Sequence, residues 1–148
     1  MYTGLVHTHS SLRYLVLALL LAVIVKALAG WQGKKPFTPV DDKLSLILLI
    51  LSHIQGVVGL VLYVKSPFVQ FNEMTMKDAG LRYWAVEHIS LMLIAIVLIT
   101  VARSTAKRMA EAAAKHKRLF LFNTMALAII VLAIAMSGRG FFSIPAVA

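Results

Sequence analysis

The chain contains no cysteine, so disulfides, thiol nucleophiles and thiolate metal sites are all excluded. Charge is also scarce. Only 14% of the 148 residues are charged, against roughly 25% in an average soluble domain. Acidic groups are the rarest, with 6 Asp and Glu against 15 Lys and Arg. The sequence lacks a Gly-rich phosphate loop, a nucleotide-binding signature and a Ser/His/Asp arrangement, and so gives no positive sign of hydrolase or ATPase work. None of its apolar runs alternates apolar and polar residues as a barrel strand does. No low-complexity tract or internal repeat stands out.

Apolar surface, by contrast, is abundant. Hydrophobic residues make up 60% of the chain and the mean hydropathy is +0.85. A soluble domain of this length has too little interior to hide so much. Four runs, at about 12–29, 44–64, 83–102 and 119–136, each approach the roughly 20 residues needed to cross hydrocarbon. The expected fold is all-α: a four-helix transmembrane bundle forming one integral membrane domain over 1–148. Its spans lie at about 8–30, 44–64, 82–103 and 118–137. The first run is too long for the apolar core of a cleaved signal, and Trp31-Gln32-Gly33-Lys34-Lys35 follows it in place of a small-residue cleavage site. The formal charge of +9 does not imply a nucleic-acid partner, because the basic residues cluster beside the apolar runs as they do in cytoplasmic loops.

Lys and Arg in short flanking loops set membrane direction. The side holding the first and third loops carries ten: Lys26, Lys34, Lys35, Lys43, Arg103, Lys107, Arg108, Lys115, Lys117 and Arg118. The opposite side carries five: Arg13, Lys65, Lys77, Arg82 and Arg139. Ten against five places the first and third loops inside and both termini outside, on the periplasmic face of a bacterial inner membrane. Pro36 and Pro39 make the first turn, and Pro67 follows the second helix. The segment 68–81 has room for a short interfacial helix bearing Phe68, Phe71, Met74 and Met76. The Ala-rich basic segment 104–116 is expected to extend the third or the fourth helix, and Gly138-Arg139-Gly140 to end the last one.

Ionisable groups inside a bilayer are costly, so each one present asks for an explanation. His7, His9 and Arg13 stand at the outer start of the first helix, His53 near the middle of the second, and Glu87 and His88 in the first turns of the third. His116 lies in the basic inner segment and reads as a solvated loop residue. At 1.5 Å of rise per residue, His88 is roughly 9 Å below Arg82 and His53 roughly 16 Å below the outer end of its helix. His9 with His88 is the strongest pairing by depth; His7 is a weaker substitute and His53 a deeper alternative. Two inward-facing imidazoles from different helices can hold a haem iron axially. Gly56 and Gly59 would admit a flat ring, Trp84 and Met92 would wall it, and Arg13 and Arg82 would pair with its propionates.

Plainer roles exist for each. Gly56 and Gly59 also suit helix packing, and Trp84 an interfacial aromatic belt. His7 and His9 also fit the water boundary, Glu87 an ion pair with Arg82 or Arg13, and His53 a bond to Ser45, Ser52 or a backbone carbonyl. A zinc site would need three or four convergent ligands, which His7, His9, Glu87 and His88 supply only under one particular docking of two helices.

The run His7-Thr8-His9-Ser10-Ser11-Leu12-Arg13-Tyr14, then His53-Ile54-Gln55-Gly56-Val57-Val58-Gly59, then Trp84-Ala85-Val86-Glu87-His88 resembles small bacterial four-span membrane proteins labelled cytochrome b. More distantly, the chain resembles one half of the haem A synthase family. Those halves are four-helix bundles carrying a His near the outer end of two helices. His9 with Arg13 would take the first position, His88 the second, and Gln55 with Gly59 the intervening helix. The family has Glu upstream and Arg directly after its first His, whereas here Arg13 comes four residues later. The likeness implies a haem-holding bundle and no synthase activity.

The expectation is thus a b-type haem membrane protein with bis-His ligation near the outer face, serving electron transfer. The alternative is a non-catalytic structural or assembly subunit of a larger respiratory-type complex, with 68–81 and 104–116 as docking surfaces. The partners in view are the lipid bilayer, other membrane subunits or a second copy of the chain. A transporter would need a dimer, and the unwound Gly/Pro breaks that mark many transport sites are missing.

Overall fold

The computed structural model describes residues 1–142. Four long helices account for most of them: α1 (Tyr2–Gln32), α2 (Pro39–Lys65), α3 (Ala79–Ala106) and α4 (Ala112–Met136). Each is long and apolar enough to cross a membrane, and no strand occurs among the described residues. Each helix packs against its neighbours in sequence and α1 closes the ring against α4. Both ends of the described chain therefore lie at one end of the bundle, here the terminal end. The loops 33–38 and 107–111 lie at the other, the basic end.

The helices outrun the apolar cores of their sequences because polar residues continue them. α2 begins at Pro39, five residues before the expected 44, on a capping box. The Thr38 hydroxyl accepts from the Asp41 N–H at 3.4 Å, and the Asp41 carboxylate accepts from the Thr38 N–H at 2.8 Å. Pro39 fits the first helical position, where its missing donor costs nothing. Asp78 caps α3 by accepting from the Leu81 N–H at 2.9 Å. α4 stops at Met136, and Gly138 follows at φ +68°, a left-handed conformation that glycine adopts without strain.

Leu20, Leu48, Ala95, Ile99, Ala126 and Ile130 form the centre of the bundle. Toward the basic end, Ala27, Ala102 and Ala106 let the helix backbones approach closely around Leu119. The outward faces are equally apolar: Leu15 and Val25 on α1, Ile50 and Val57 on α2, Leu93 and Val97 on α3, Leu132 and Met136 on α4 are all exposed. A helix apolar on every side suits a hydrocarbon surround.

Three loop expectations change. Residues 68–78 form turns, not an interfacial helix, because side chains take the backbone hydrogen bonds. Thr75 Oγ1 donates to the Gln70 carbonyl and accepts from the Asn72 N–H, both at 2.8 Å. The segment 104–116 extends both flanking helices and breaks at 107–111. His116, expected in solvent, is 2% exposed. It packs at the basic end against Phe37, ring centroids 5.2 Å apart, in a notch left by the missing side chain of Gly30.

Candidate functional site

The terminal half of the bundle is not filled. A cavity of about 240 Å³ opens there among α1, α2, α3 and the end of α4. On α1 it runs from Tyr2 to Val16, a rise of roughly 21 Å. Its far wall is apolar, with Met92, Ile99 and Ile130. His9 and His88 both line it, on different helices, as do Arg13, Gly56, Gly59, Trp84 and Met92.

Two glycines of the wall let side chains of neighbouring helices pack close, the plainer of their expected roles. A Cβ on Gly59 would sit 3.1 Å from His9 Cε1, and one on Gly56 would sit 2.8 Å from Ile96 Cδ1. Gly59 therefore makes room for the His9 ring, and Gly56 lets α2 and α3 approach. Three buried polar atoms on residues of the wall have no hydrogen-bond partner: His9 Nδ1, Gln55 Oε1 and Ser52 Oγ. Buried polar groups are nearly always paired, so these three ask for a partner that the chain itself does not supply.

α3 reaches the cavity through an irregularity. Residues Tyr83–Glu87 form one π-helical turn, which brings residues five apart onto one face. Two i, i+5 pairs result. Arg82 Nε meets Glu87 Oε1 at 2.7 Å, and the Tyr83 hydroxyl meets His88 Nδ1 at 3.3 Å. The Tyr63 hydroxyl of α2 donates to the Ala85 carbonyl at 2.6 Å, giving the disturbed turn an outside donor. Trp84 stays in contact with His88, ring centroids 5.4 Å apart.

These bonds fix the imidazole tautomers. The Tyr83 hydroxyl has one hydrogen, and donates it to the Ala133 carbonyl at 2.6 Å. Toward His88 its oxygen can only accept, so His88 Nδ1 carries the proton and Nε2 keeps its lone pair. At His9, the Gln55 amide nitrogen donates to the His9 carbonyl at 2.9 Å and approaches His9 Nε2 at 3.4 Å. The carbonyl requires a donor, so the amide cannot be turned over, and Nε2 faces N–H. Both rings are thus held with Nε2 unprotonated; the His88 lone pair is open to a metal, whereas His9 Nε2 accepts from Gln55 at long range and its Nδ1 is the atom left without a partner.

The other sequence candidates lie elsewhere. His53 is exposed on the outer face of α2, where its Nδ1 bonds the Leu49 carbonyl at 2.8 Å, and it does not line the cavity. His7 is exposed on α1 and also lies off the cavity. Arg82 is occupied by Glu87 and by the Met76 carbonyl at 3.1 Å. The second guanidinium on the cavity wall is instead Arg139, stacked over Trp84 at 4.8 Å. Sequence reasoning singled out neither Arg139 nor the Tyr83 hydroxyl. The five-residue spacing from Tyr83 to His88 becomes a signal only once a π-turn is allowed. Among the described residues no cluster of three or more His, Asp or Glu forms a metal site; two axial imidazoles need none.

The lining suits a haem in its chemistry: an imidazole on each of two helices, apolar depth and two guanidiniums, Arg13 and Arg139. No family model, curated protein or solved structure matches the chain.

Proposed function

We propose that this chain is a b-type haem protein of the bacterial inner membrane, with the cavity toward the periplasm and an electron-transfer role. The observation that carries it is the pair His9 and His88, on separate helices and one cavity: Tyr83 holds His88 so that its Nε2 is free to ligate, and His9 Nε2 is engaged only by the 3.4 Å approach of the Gln55 amide, which ligation would displace. When bound, haem supplies reversible one-electron transfer, and ligation by two imidazoles favours relay over oxygen binding. Tyr83 fixes the His88 ring and its tautomer; Gln55 does the same for His9. Met92, Ile99 and Ile130 exclude water from the deep wall, and Arg13 and Arg139 on the lining would balance propionate charge. The outward orientation of the mouth is supported by the ten-to-five excess of Lys and Arg at the basic end.

The test is an optical spectrum of the purified protein, oxidised and dithionite-reduced. A low-spin b-type spectrum is expected. A preparation that takes up no haem even when haem is supplied during expression overturns the proposal, and leaves the non-catalytic subunit of a larger complex as the successor. Orientation has its own test, helped by the lack of native cysteine: a membrane-impermeant maleimide added to whole spheroplasts should label Gln70→Cys and spare Arg108→Cys.

A further inference from the structure

A second cavity, of about 280 Å³, lies at the basic end between the start of α2, the end of α3 and the start of α4. It is separate from the histidine cavity and shares no lining residue with it. Arg103, Lys107 and Lys115 line it, opposed by one carboxylate, Asp42. The Arg103 side chain is only 10% exposed. One of its terminal nitrogens bonds Asp42 at 2.9 Å, while its buried Nε has no partner. Lys107 and Lys115 form no ion pair with any described residue; the Lys115 ammonium lies over the Phe37 ring at 5.1 Å. Glu111, the other acidic group nearby in sequence, is exposed and pairs with neither. Asp41 faces away, toward Lys26 at 3.1 Å. Three cations therefore share one carboxylate around a hollow floored by Leu119 and Ala106.

Arg103 is held almost out of water with one nitrogen on Asp42 and its Nε unpartnered, and the exposed Lys107 and half-buried Lys115 leave two further cations at the hollow with no carboxylate of their own, a set that an anion would complete. We infer that this cavity is a binding site for a phosphate group, with the two lysines as point-charge partners and Arg103 as the buried anchor. The chemistry is shared by an anionic phospholipid headgroup and by a soluble phosphate compound. The position at the ends of three membrane-length helices puts the hollow at headgroup level, where basic pockets between helices take such groups. The inference stands apart from the haem reading and needs no haem to test.

The experiment measures binding to the full-length protein in neutral detergent by native mass spectrometry, with phosphatidylglycerol, phosphatidylcholine or inorganic phosphate added. Phosphatidylglycerol or inorganic phosphate should bind, and phosphatidylcholine should bind far more weakly. Replacing Lys107 and Lys115 by Gln should weaken binding about fivefold singly and about thirtyfold together. The control is Lys34→Gln with Lys35→Gln, which removes equal charge from the same end outside the cavity and should leave binding unchanged. Binding by the lipid alone identifies a headgroup as occupant; binding by inorganic phosphate as well identifies a soluble phosphate. Circular dichroism confirms that each variant folds. Equal losses in both double variants, or binding by neither probe, overturn the site.

Discussion

Each end of the bundle buries imidazole, and the surroundings decide what the ring can do. At the basic end His116 is 2% exposed and seated in the Gly30 notch against Phe37, with its Nε2 3.4 Å from the Pro36 carbonyl. It fills space. At the terminal end His9 and His88 border a cavity, and hydrogen bonds hold the rings while leaving a lone pair uncommitted or weakly engaged. Glycine works alike at the two places: Gly30 lets the His116 ring pack in, and Gly59 does the same for the His9 ring. What sets the two ends apart is the open volume that His9 and His88 border and His116 does not.

Substitutions at the two ends can break or sharpen this contrast. The largest effect is expected from His9→Ala or His88→Ala, each of which should abolish the low-spin haem spectrum while helicity measured by circular dichroism persists. A full spectrum in either variant would remove that residue from ligation. Next is Tyr83→Phe, which takes away the acceptor for His88 Nδ1–H. Loss of such an outer partner typically costs 10–100-fold in affinity, roughly, so haem titration of the apoprotein should weaken by about that range and the midpoint potential should move. At the basic end, Gly30→Ala drives a methyl group into the His116 ring. Overpacking of this kind costs about 1–3 kcal/mol, and denaturant unfolding should show it with the haem spectrum unchanged. Lys26→Ala removes a half-exposed ion pair with Asp41 and should cost at most about 1 kcal/mol. His53→Ala, on the exposed face of α2, should alter neither the spectrum nor the stability measurably.

The helical fold was legible because hydrocarbon demands long apolar runs and little else does. All four long helices coincide with such runs, and their polar extensions were missed because caps such as Thr38 with Asp41 operate where hydropathy has already fallen. The shared cavity of His9 and His88 was approachable through depth alone. Arg82, expected beside it, makes instead the ion pair with Glu87 that was its plainer alternative; what a 3.6-residue period did not supply is the π-turn that brings the two, five apart, onto one face. His116 was misjudged for a different reason. A histidine among lysines looks solvated until the glycine facing it across the bundle is known, and that pairing spans 86 positions in the chain.

The first cavity is lined by Tyr2 and Val6 at one extreme of the chain and by Ser137, Arg139 and Gly140 at the other. Tyr14 of α1 holds the returning tail, its hydroxyl 3.3 Å from the Phe141 carbonyl and its ring stacked on Phe142. A nascent chain threading into the bilayer thus has no finished pocket until its final helix has emerged from the ribosome. Loading of any guest must await the docking of α4 and residues 137–140, and a chain cut before Ser137 should lose the guest while sparing insertion of the first three helices.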